Sequence, residues 1–474
     1  MLTTGLIEAL KPYPAYKDSG VEWLGEVPEH WEVRAMKRVA RLNPSKSEIP
    51  EKQKTAQAVF LPMERVGTNG RYDASETRPI EEMWNGLTYF RRGDVIVAKI
   101  TPCFENGKGA CLNRLPTEFG FGSTEFHVIR PSREASAQYV YLLTTLREIR
   151  QLGAEMMTGA AGQQRVPADF FAGLRIPIPP LPEQTAIVRF LDWVDRRVRR
   201  VIRARRKRIK LLEEYKQALI HQAVTGQIDV RTGKPYPAYK DSGVEWLGKV
   251  PAHWEIRRLK TLCSMKSGEA ITSDTIEPEG EYPVFGGNGI RGFTCRYTHE
   301  GNFVLIGRQG ALCGNVHVAR GRFWASEHAV VTRPHGDIVI EWLASLLTAM
   351  NLNQYSISAA QPGLAVERII NLLVPVPTVE EQLCIRDSLV TESEKIKAAT
   401  ATARRQIELL EEFRTRLIAD VVTGKLDVRE VAARLPEEEP DLDELEPEED
   451  EPAGDEIEAS EARAGCDFSE ATQV

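Results

Sequence analysis

Residues 11–25 read KPYPAYKDSGVEWLG, and residues 234–248 repeat them letter for letter. A second repeat follows in each half, where LLEEYKQALIHQAVTGQIDVR (residues 211–231) is echoed by LLEEFRTRLIADVVTGKLDVR (residues 409–429). The similarity to the first repeat continues to Arg34 and Arg257, and we call residues 11–34 and 234–257 the leading segments. The segments between the repeats, head 1 (about Arg34–Gly173) and head 2 (about Arg257–Asn371), share little sequence. The repeats therefore predict one scaffold that carries two different heads.

The charge is unevenly distributed along the 474 residues. The net charge is −7, but residues 436–474 contain 17 acidic residues and one basic residue, so the rest of the chain is about +9. We expect the acidic end to be disordered from residue 431, because it has too few apolar residues to offset its ordering entropy. No apolar run approaches the roughly 18 to 20 residues of a membrane span. The N-terminal sequence does not resemble a secretory signal, and Cys and His lack metal-ligand spacing. We therefore expect a cytoplasmic protein without a metal.

A long helical stretch closes each half and ends at the Thr-Gly pair of residues 225–226 or 423–424, because Gly commonly stops a helix. Apolar residues recur along both stretches at heptad spacing, which favours an antiparallel coiled coil. An amphipathic helix packed on its own domain would produce a similar pattern. The expected helix-pairing residues are Leu191, Val198, Leu212, Leu219, Leu389, Ile396, Leu410 and Leu417.

The two heads share a weak sequence pattern. RRGDVIVAKITP (residues 91–102) is similar to HEGNFVLIGRQG (residues 299–310), and FGSTEFHVIRP (residues 121–131) is similar to WASEHAVVTRP (residues 324–334). Short apolar strands with few helices predict an α/β (α+β) globule for each head. The expected architecture is thus a pseudo-twofold tandem repeat of two globular domains, separated by two long helices packed as an antiparallel coiled coil.

Signals for enzymatic activity are weak. Asp94 and Lys99 flank an apolar strand, as a nuclease carboxylate and lysine would, but the aligned residues of head 2 are Asn302 and Gly307. We interpret Asp94 as a cap of the turn before the strand. The sequence contains no G-x-x-x-x-G-K-[ST] phosphate loop, and GGNGIRG (residues 286–292) is interpreted as a tight loop. The pattern favours a binding protein without catalytic residues.

The basic and amide side chains suit nucleic acid. Residues 196–210, RRVRRVIRARRKRIK, hold ten basic residues that would neutralise phosphates along a helix. A solvated face, or a face that pairs with an acidic partner subunit, remains an equal alternative. In the polar loops of the heads, Lys and Arg suit guanine edges, whereas Gln and Asn suit adenine edges. The candidate DNA-binding residues are Lys99, Thr101, Lys108, Asn288, Arg291, Arg308, Gln309, Arg199, Arg203 and Arg206.

Both halves contain a YP.YK.SG..W.G..P.HW leading segment, a Pro-rich turn and a long closing helix, the turns being IPIPPLPEQ (residues 176–184) and VPVPTVEEQ (residues 374–382). Together these features resemble the specificity subunit of type I restriction–modification enzymes. The resemblance extends from Lys11 to Arg429 and excludes the acidic end. It implies that each head is a target recognition domain for half of a split, asymmetric site in double-stranded DNA. It also implies that the helices set the spacing between the half-sites and that the subunit is itself non-catalytic.

The resemblance further implies two methylation subunits, which methylate adenine N6 with S-adenosylmethionine, and restriction subunits, which cleave DNA with ATP and Mg²⁺. No cofactor is expected on this chain. A protein–protein scaffold with a basic coiled coil and no sequence-specific DNA role remains the alternative. The expected boundaries are residues 1–173 for the leading segment and recognition domain 1, 174–230 for the Pro-rich turn and spacer helix 1, 231–371 for the leading segment and recognition domain 2, 372–430 for the Pro-rich turn and spacer helix 2, and 431–474 for the acidic tail.

Overall fold

The computed structural model of the protein describes residues 10–160, 162–310, 313–356 and 363–436. Most of the acidic end, for which we predict disorder, lies outside these residues. The described residues form two compact units: unit 1 comprises residues 10–203 and 407–436, and unit 2 comprises residues 204–406 with the gaps given above. Within this described part of the chain, no helix is both long enough and apolar enough to cross a bilayer.

The first half of the chain contains short strands, short helices and one long helix. Its strands are β1 (Tyr16–Asp18), β2 (Glu26–Pro28), β3 (Glu32–Ala35), β4 (Ala40–Leu42), β5 (Gln57–Leu61), β6 (Thr77–Pro79), β7 (Thr88–Arg91), β8 (Val95–Ala98), β9 (Gly109–Cys111), β10 (Phe119–Gly122), β11 (Phe126–Pro131) and β12 (Arg175–Ile178). Its helices are α1 (Ile80–Met83), α2 (Ala137–Thr144), α3 (Arg147–Glu155), α4 (Ala168–Gly173) and α5 (Leu181–Val224).

The second half follows the same order. Its strands are β13 (Tyr239–Asp241), β14 (Lys249–Pro251), β15 (Glu255–Arg258), β16 (Cys263–Ser267), β17 (Tyr282–Gly286), β18 (Gly289–Thr294), β19 (His299–Glu300), β20 (Phe303–Gly307), β21 (Val316–Ala319), β22 (Arg322–Ala325), β23 (Ala329–Pro334) and β24 (Leu373–Val376). Its helices are α6 (Ile340–Ala349), α7 (Val366–Ile369), α8 (Val379–Val422) and α9 (Arg429–Arg434).

Head 1 contains two four-stranded sheets. One has the strand order β4-β11-β8-β9, and the other has the order β6-β5-β10-β7, in which β5 and β10 run parallel. The apolar residues of β8 are fully buried, as expected for a β-branched run that packs on both faces. Short strands with polar turns thus place several loops at the ends of the two sheets.

Head 2 has the same topology. Its sheets have the orders β16-β23-β20-β21 and β18-β17-β22-β19, and β17 and β22 form the parallel pair. Each strand therefore has a counterpart in head 1, with β8 corresponding to β20 and β11 to β23. The prediction of two α+β heads with a shared fold and different sequences is confirmed.

The leading segments tie each head to the start of a long helix. In unit 1, β3 pairs with β12, so the strands before and after head 1 lie side by side. In unit 2, β15 pairs with β24 in the same antiparallel manner. The Pro-rich segments that follow head 1 and head 2 therefore each begin with a strand before the long helix starts.

Buried carboxylates explain the aromatic residues of the leading segments. Glu183, in the first turn of α5, accepts hydrogen bonds from the Tyr13 hydroxyl at 2.6 Å and from Trp31 Nε1 at 3.0 Å. Its other oxygen lies 2.9 Å from His30 Nε2. In unit 2, Glu381 lies 2.9 Å from His253 Nε2. The repeated His therefore contacts a helix-start carboxylate in both units, and in unit 1 the Tyr and Trp also donate to it.

The long helices span 44 residues each, about 66 Å at 1.5 Å per residue, and the prediction of two long helices is confirmed. The predicted pairing residues differ in burial. Those that are buried are Leu191, Val198, Leu389, Ile396 and Leu417, and those that are half-buried are Leu212, Leu219 and Leu410. Leu191, Val198 and Leu417 lie in one apolar cluster of unit 1, so residues from both long helices contribute to its core.

Each long helix ends against a leading segment. Gly424, after α8, has a φ of +82°, and a Cβ built on it would lie 2.4 Å from Cδ of Pro28 in unit 1. Gly226, after α5, has a φ of +74°, and its Cβ would lie 2.3 Å from Cδ of Pro251 in unit 2. The left-handed conformation and the close approach both require glycine at these helix stops.

The two ends of the described chain meet within unit 1. The amide N of Asp427 donates to the carbonyl O of Lys11 at 2.8 Å. In unit 2, the amide N of Asp229 donates to the carbonyl O of Lys234 at 2.9 Å, across a tight turn in the continuous chain. Unit 1 therefore reproduces, between sequence-distant residues, a contact that unit 2 makes within six consecutive residues.

The start predicted for the disordered end is wrong in its first residues. Residues 429–434 form α9, which includes positions 431–434. Val431, Ala432 and Leu435 are buried in the core of unit 1, and Arg189 Nη2 donates to the carbonyl O of Leu435 at 2.7 Å. These apolar side chains offset the ordering entropy of this short helix.

Candidate nucleic-acid interface

Lys99 and Arg308 occupy the same position in their heads. The amide N of Lys99 donates to the carbonyl O of Glu125 at 2.8 Å, and the carbonyl O of Lys99 accepts from the amide N of Val166 at 2.8 Å. Arg308 makes the equivalent bonds to the carbonyl O of His328 at 2.8 Å and from the amide N of Leu364 at 2.9 Å. These backbone bonds make the two basic residues structural counterparts.

This correspondence corrects the sequence alignment by one residue. The sequence alone pairs Lys99 with Gly307, but β20 has five residues where β8 has four. The strand registers agree, because Ala98 pairs with the first residue of β11 and Gly307 pairs with the first residue of β23. A basic residue therefore directly follows β8 in head 1 and β20 in head 2.

In head 1, a carboxylate and a guanidinium group lie beside Lys99. Arg165 donates from Nε to Glu125 Oε2 at 2.8 Å and from Nη2 to Glu125 Oε1 at 3.0 Å. The side chains of Arg165 and Glu125 are 44% and 23% exposed, respectively. Hydrogen bonding from Arg165 holds the pKa of Glu125 below its ordinary value. The pair therefore presents a charged, fixed donor–acceptor surface to solvent.

In head 2, the corresponding place carries an imidazole and an amide. His328 Nδ1 lies 3.2 Å from Oε1 of Gln309, and both side chains are accessible to solvent. Gln309 forms a backbone bridge with Gly363, and Ile100 forms the same bridge with Arg165 in head 1. The two heads thus offer different polar groups on equivalent backbone.

The glycine-rich loop of head 2 adjoins this site. Residues 286–289 form the turn between β17 and β18, as the tight-loop interpretation predicts. A Cβ built on Gly287 would lie 3.4 Å from the carbonyl O atoms of Gln309 and His328. Asn288 accepts from Asn315 Nδ2 at 2.9 Å, and Arg291 is exposed on β18. The fold therefore brings Asn288 into the vicinity of Arg308 and Gln309.

Two other candidates of head 1 are engaged by the protein. Thr101 Oγ1 lies 3.2 Å from the carbonyl O of Gln164, to which it donates. Lys108 Nζ donates to the carbonyl O of Met63 at 3.3 Å, and the amide N of Ala98 donates to the carbonyl O of Lys108 at 2.9 Å. Lys108 therefore lies beside the end of β8, near Lys99, and stays a predicted DNA contact.

The three arginine candidates on α5 are also engaged within the chain. Arg199 Nε bonds to Asp195 Oδ2 at 2.7 Å, its Nη2 donates to the carbonyl O of Asn69 at 3.1 Å, and its side chain is 18% exposed. Arg203 and Arg206 are half-buried and have interactions of their own within the protein. Arg199 thus joins α5 to a loop of head 1, and a role of these residues in DNA binding stays a prediction.

Three residues of this site, Glu125, Arg165 and His328, are not predicted from the sequence. A signal was present for two of them, because Glu125 and His328 lie in the aligned FGSTEFHVIRP and WASEHAVVTRP segments, just before β11 and β23. Arg165 carries no such signal, since it reaches the site through a backbone contact with Ile100, 65 residues earlier in the sequence.

Asp94 does not resemble a catalytic carboxylate in its surroundings. It is 1% exposed, accepts from the amide N of Arg91 at 2.8 Å and forms two bonds of 2.7 Å with the guanidinium of Arg130. Arg130 also bonds to Glu48. The interpretation of Asp94 as a cap of the turn before β8 is confirmed, and the ion pair adds a second structural role.

Comparisons with known proteins agree with the architecture. A stretch of 158 residues is 44% identical to the type I restriction enzyme EcoprrI specificity subunit of Escherichia coli, which covers 31% of this chain and 39% of that protein. The putative type I restriction enzyme MjaX specificity subunit of Methanocaldococcus jannaschii is 23% identical over 431 residues, or 86% of this chain and 96% of that protein.

A solved structure described as "Structural basis underlying complex assembly and conformational transition of the type I R-M system" contains a chain of similar fold. The TM-score is 0.69 at 22% identity, and the superposition covers 84% of this chain and 99% of the other. The family model of the type I restriction modification DNA specificity domain matches residues 28–211 and 251–408. These two matches span more than two thirds of the sequence, and the chain belongs to the family of type I restriction modification DNA specificity domains.

Proposed function

We propose that this protein is the DNA sequence-specificity subunit of a type I restriction–modification complex, in which the two heads read different halves of a split, asymmetric site. The observation that carries the proposal is the pair of counterpart sites after β8 and β20. They share backbone hydrogen bonds, yet one presents Glu125 with Arg165 and the other His328 with Gln309. Different base-edge contacts on one scaffold are what two different half-sites require.

The long helices, in this proposal, pack as an antiparallel coiled coil and set the number of unread base pairs between the half-sites. Support comes from unit 1, where Arg414 of α8 bonds to Asp195 of α5. Leu417 of α8 also shares an apolar cluster with Leu191 and Val198 of α5. A helix pair of this length is a spacer of fixed length, as dimer geometry is in other DNA-binding proteins.

The chain itself is proposed to be non-catalytic and to bind no cofactor. The two similar frames, each made of a leading segment and a helix start, would dock two copies of a methylation subunit. Methylation of adenine N6 with S-adenosylmethionine, and DNA cleavage with ATP and Mg²⁺, would reside in the methylation and restriction partners. The acidic side chains of this protein that the structure describes form no cluster with Cys or His of the kind that holds a metal ion.

Long-read sequencing for N6-methyladenine tests this function in the source genome, with and without the gene. A split, asymmetric motif that loses its methylation when the gene is deleted is the expected result, and it would also identify the target. An unchanged methylation pattern in a strain that expresses active methylation and restriction partners would favour the scaffold alternative and would contradict the proposal.

Two variants test whether each head reads one half-site and whether the long helices set the spacing between the half-sites. Exchange of residues 34–173 for another head should change one half of the motif only, and a change in both halves would contradict separate reading. Insertion of four residues, about one helical turn, into each long helix should change the spacing between the half-sites and leave the bases of both halves unchanged. An unchanged spacing would exclude the helices as the spacer.

A further inference from the structure

We infer that Arg165 with Glu125, and Gln309 with His328, are the base-reading groups at the counterpart sites, so that head 1 reads a G·C base pair where head 2 reads an A·T base pair. The inference rests on the proposed function and assigns bases to it. Glu125 and His328 extend from equivalent backbone, whereas Arg165 and Gln309 come from opposite partners of the equivalent backbone bridge beside them. The inference covers one base pair in each half-site.

The contacts of Arg165 leave part of its guanidinium for a base. Of the five N–H groups of an arginine, Nε and Nη2 each direct one to Glu125, and Nη1 directs one to the carbonyl O of Gln163 at 3.2 Å. The other two N–H groups match the number of acceptors, O6 and N7, that guanine presents in the major groove. Because Glu125 fixes the guanidinium plane, little rotamer entropy remains to be lost on binding.

Glu125 adds a reason to expect the complete G·C pair. Cytosine presents its N4 amino donor beside the O6 of the paired guanine, and a carboxylate accepts from that donor. Glu125 is the acceptor that lies next to Arg165, and its pKa is held below the ordinary value by that hydrogen bond. A charged donor and a charged acceptor side by side are therefore complementary to guanine and cytosine side by side.

The pair of Gln309 and His328 in head 2 is complementary to adenine instead of guanine. A carboxamide reads adenine by accepting from N6 and donating to N7. When His328 Nδ1–H donates to Oε1 of Gln309, it holds the amide in place and leaves a second lone pair on Oε1 and both hydrogens on Nε2. The position that corresponds to Arg165 is Gly363, so head 2 has no guanidinium at this point of the backbone.

Lys99 and Arg308 have a shared role in this scheme. Lys99 directly follows β8 and Arg308 directly follows β20, and each carries a positive charge beside the base-reading pair of its head. Lys99 and Arg308 have the same charge but different shapes. They therefore suit the phosphate backbone, which carries no sequence information, better than they suit a base. Base choice in the two heads is therefore assigned to the pairs and not to these basic residues.

The test is the N6-methyladenine motif in cells that express the full chain with its methylation partner. Arg165→Gln should relax selection at one G·C pair in one half of the site, with discrimination at that pair reduced about 5- to 100-fold. Gln309→Ala should relax one A·T pair in the other half. Arg165→Lys keeps the charge but loses the fork, and it should relax the same G·C pair as Arg165→Gln.

Arg78→Gln is the matched control. Arg78 also bonds through Nε and Nη2 to a glutamate of head 1, Glu76, and its side chain is 46% exposed. This substitution should leave the motif unchanged. Thermal melting of each variant separates a loss of selection from a loss of folding, since Arg165 also ties two loops of head 1 together.

The outcomes distinguish the inference from the function on which it rests. A split motif for the wild-type chain, with the same bases retained in folded Arg165→Lys and Gln309→Ala variants, would overturn the base assignment and leave the proposed function intact. Relaxation of an A·T pair by Arg165→Lys would overturn it too. The absence of any split motif for the wild-type chain would reject both proposals.

Discussion

Glu183 is a carboxylate that only its hydrogen-bond partners make acceptable in a protein interior. It is 5% exposed and is surrounded by Tyr13, His30 and Trp31 of the leading segment. Burial, followed by the hydrogen bond to Glu183, raises the pKa of Tyr13 well above its ordinary value, so the hydroxyl remains a donor at any physiological pH. The contact joins the leading segment to the start of α5.

Substitution Glu183→Ala should lower the free energy of unfolding by on the order of 3 kcal/mol, because it leaves the buried Tyr13 hydroxyl and the Trp31 indole N–H without their acceptor. Urea denaturation followed by circular dichroism measures the change. The control is Glu29→Ala, which removes an exposed carboxylate from the same leading segment and should cost less than about 0.5 kcal/mol. Equal losses in the two variants would contradict a structural role for Glu183.

Glu381 gives the same contact in unit 2 a dependence on pH. Burial raises its pKa, but hydrogen bonding from His253 outweighs burial, and the pKa lies below the ordinary 4.5. Because the unfolded chain then binds the proton more readily, the stabilisation is complete above about pH 4.5 and is lost as the pH falls through the folded-state pKa. The Tm difference between wild type and Glu381→Gln should therefore shrink as the pH falls below about 4.5. A difference that persists at roughly pH 3 would be the contrary result.

Secondary-structure elements were predictable where the signal is local. Heptad spacing and the Thr-Gly stops located α5 and α8 because these patterns depend on neighbouring turns of one helix. The one-residue error between Lys99 and Arg308 arose because β20 is longer than β8, which only the pairing with β11 and β23 reveals. The contact of Arg165 with Glu125 was likewise invisible, since it spans 40 residues of chain.

The stop at the end of α8 supports a prediction at this scale. Gly424→Ala should cost about 2 kcal/mol more than Gly25→Ala, because its Cβ would meet Pro28 at 2.4 Å and Trp31 at 3.0 Å. Gly25 is a matched control: it lies in the same unit, has a φ of +65°, and its Cβ would meet nothing within 4 Å. Thermal melting of the two variants measures the difference, and equal Tm values would exclude the steric contribution.

At the scale of the whole molecule, the repeats predicted two similar halves but not the composition of the units. Unit 1 contains residues from both ends of the described chain, and unit 2 contains the middle. Sequence alone assigns each long helix to the head before it, because covalent order is all that a sequence displays. The division of α5 near residue 203 and of α8 near residue 407 depends on tertiary contacts, which no local pattern encodes.

The hydrogen bond between Asp427 and Lys11 supports a prediction about rearranged chains. A permuted chain that starts at Lys234, runs to Arg429, continues through Thr-Gly into Lys11 and stops at Arg231 would copy the natural Arg231–Lys234 link at the new junction. It should fold with a Tm close to that of a chain in native order truncated after Arg429, which also lacks most of α9. A permuted chain that is unfolded while the truncated control is folded would contradict the equivalence of the two links.

The hydrogen bond between Asp427 and Lys11 means that the fold does not depend on which half comes first along the chain. The same backbone contact is made once through a turn and once between distant residues, so the folded protein has no intrinsic first half. A gene that began in the middle would encode the same pair of heads in the opposite order of synthesis. A natural relative whose two halves occur in the opposite order along the sequence would therefore be expected to have the same fold.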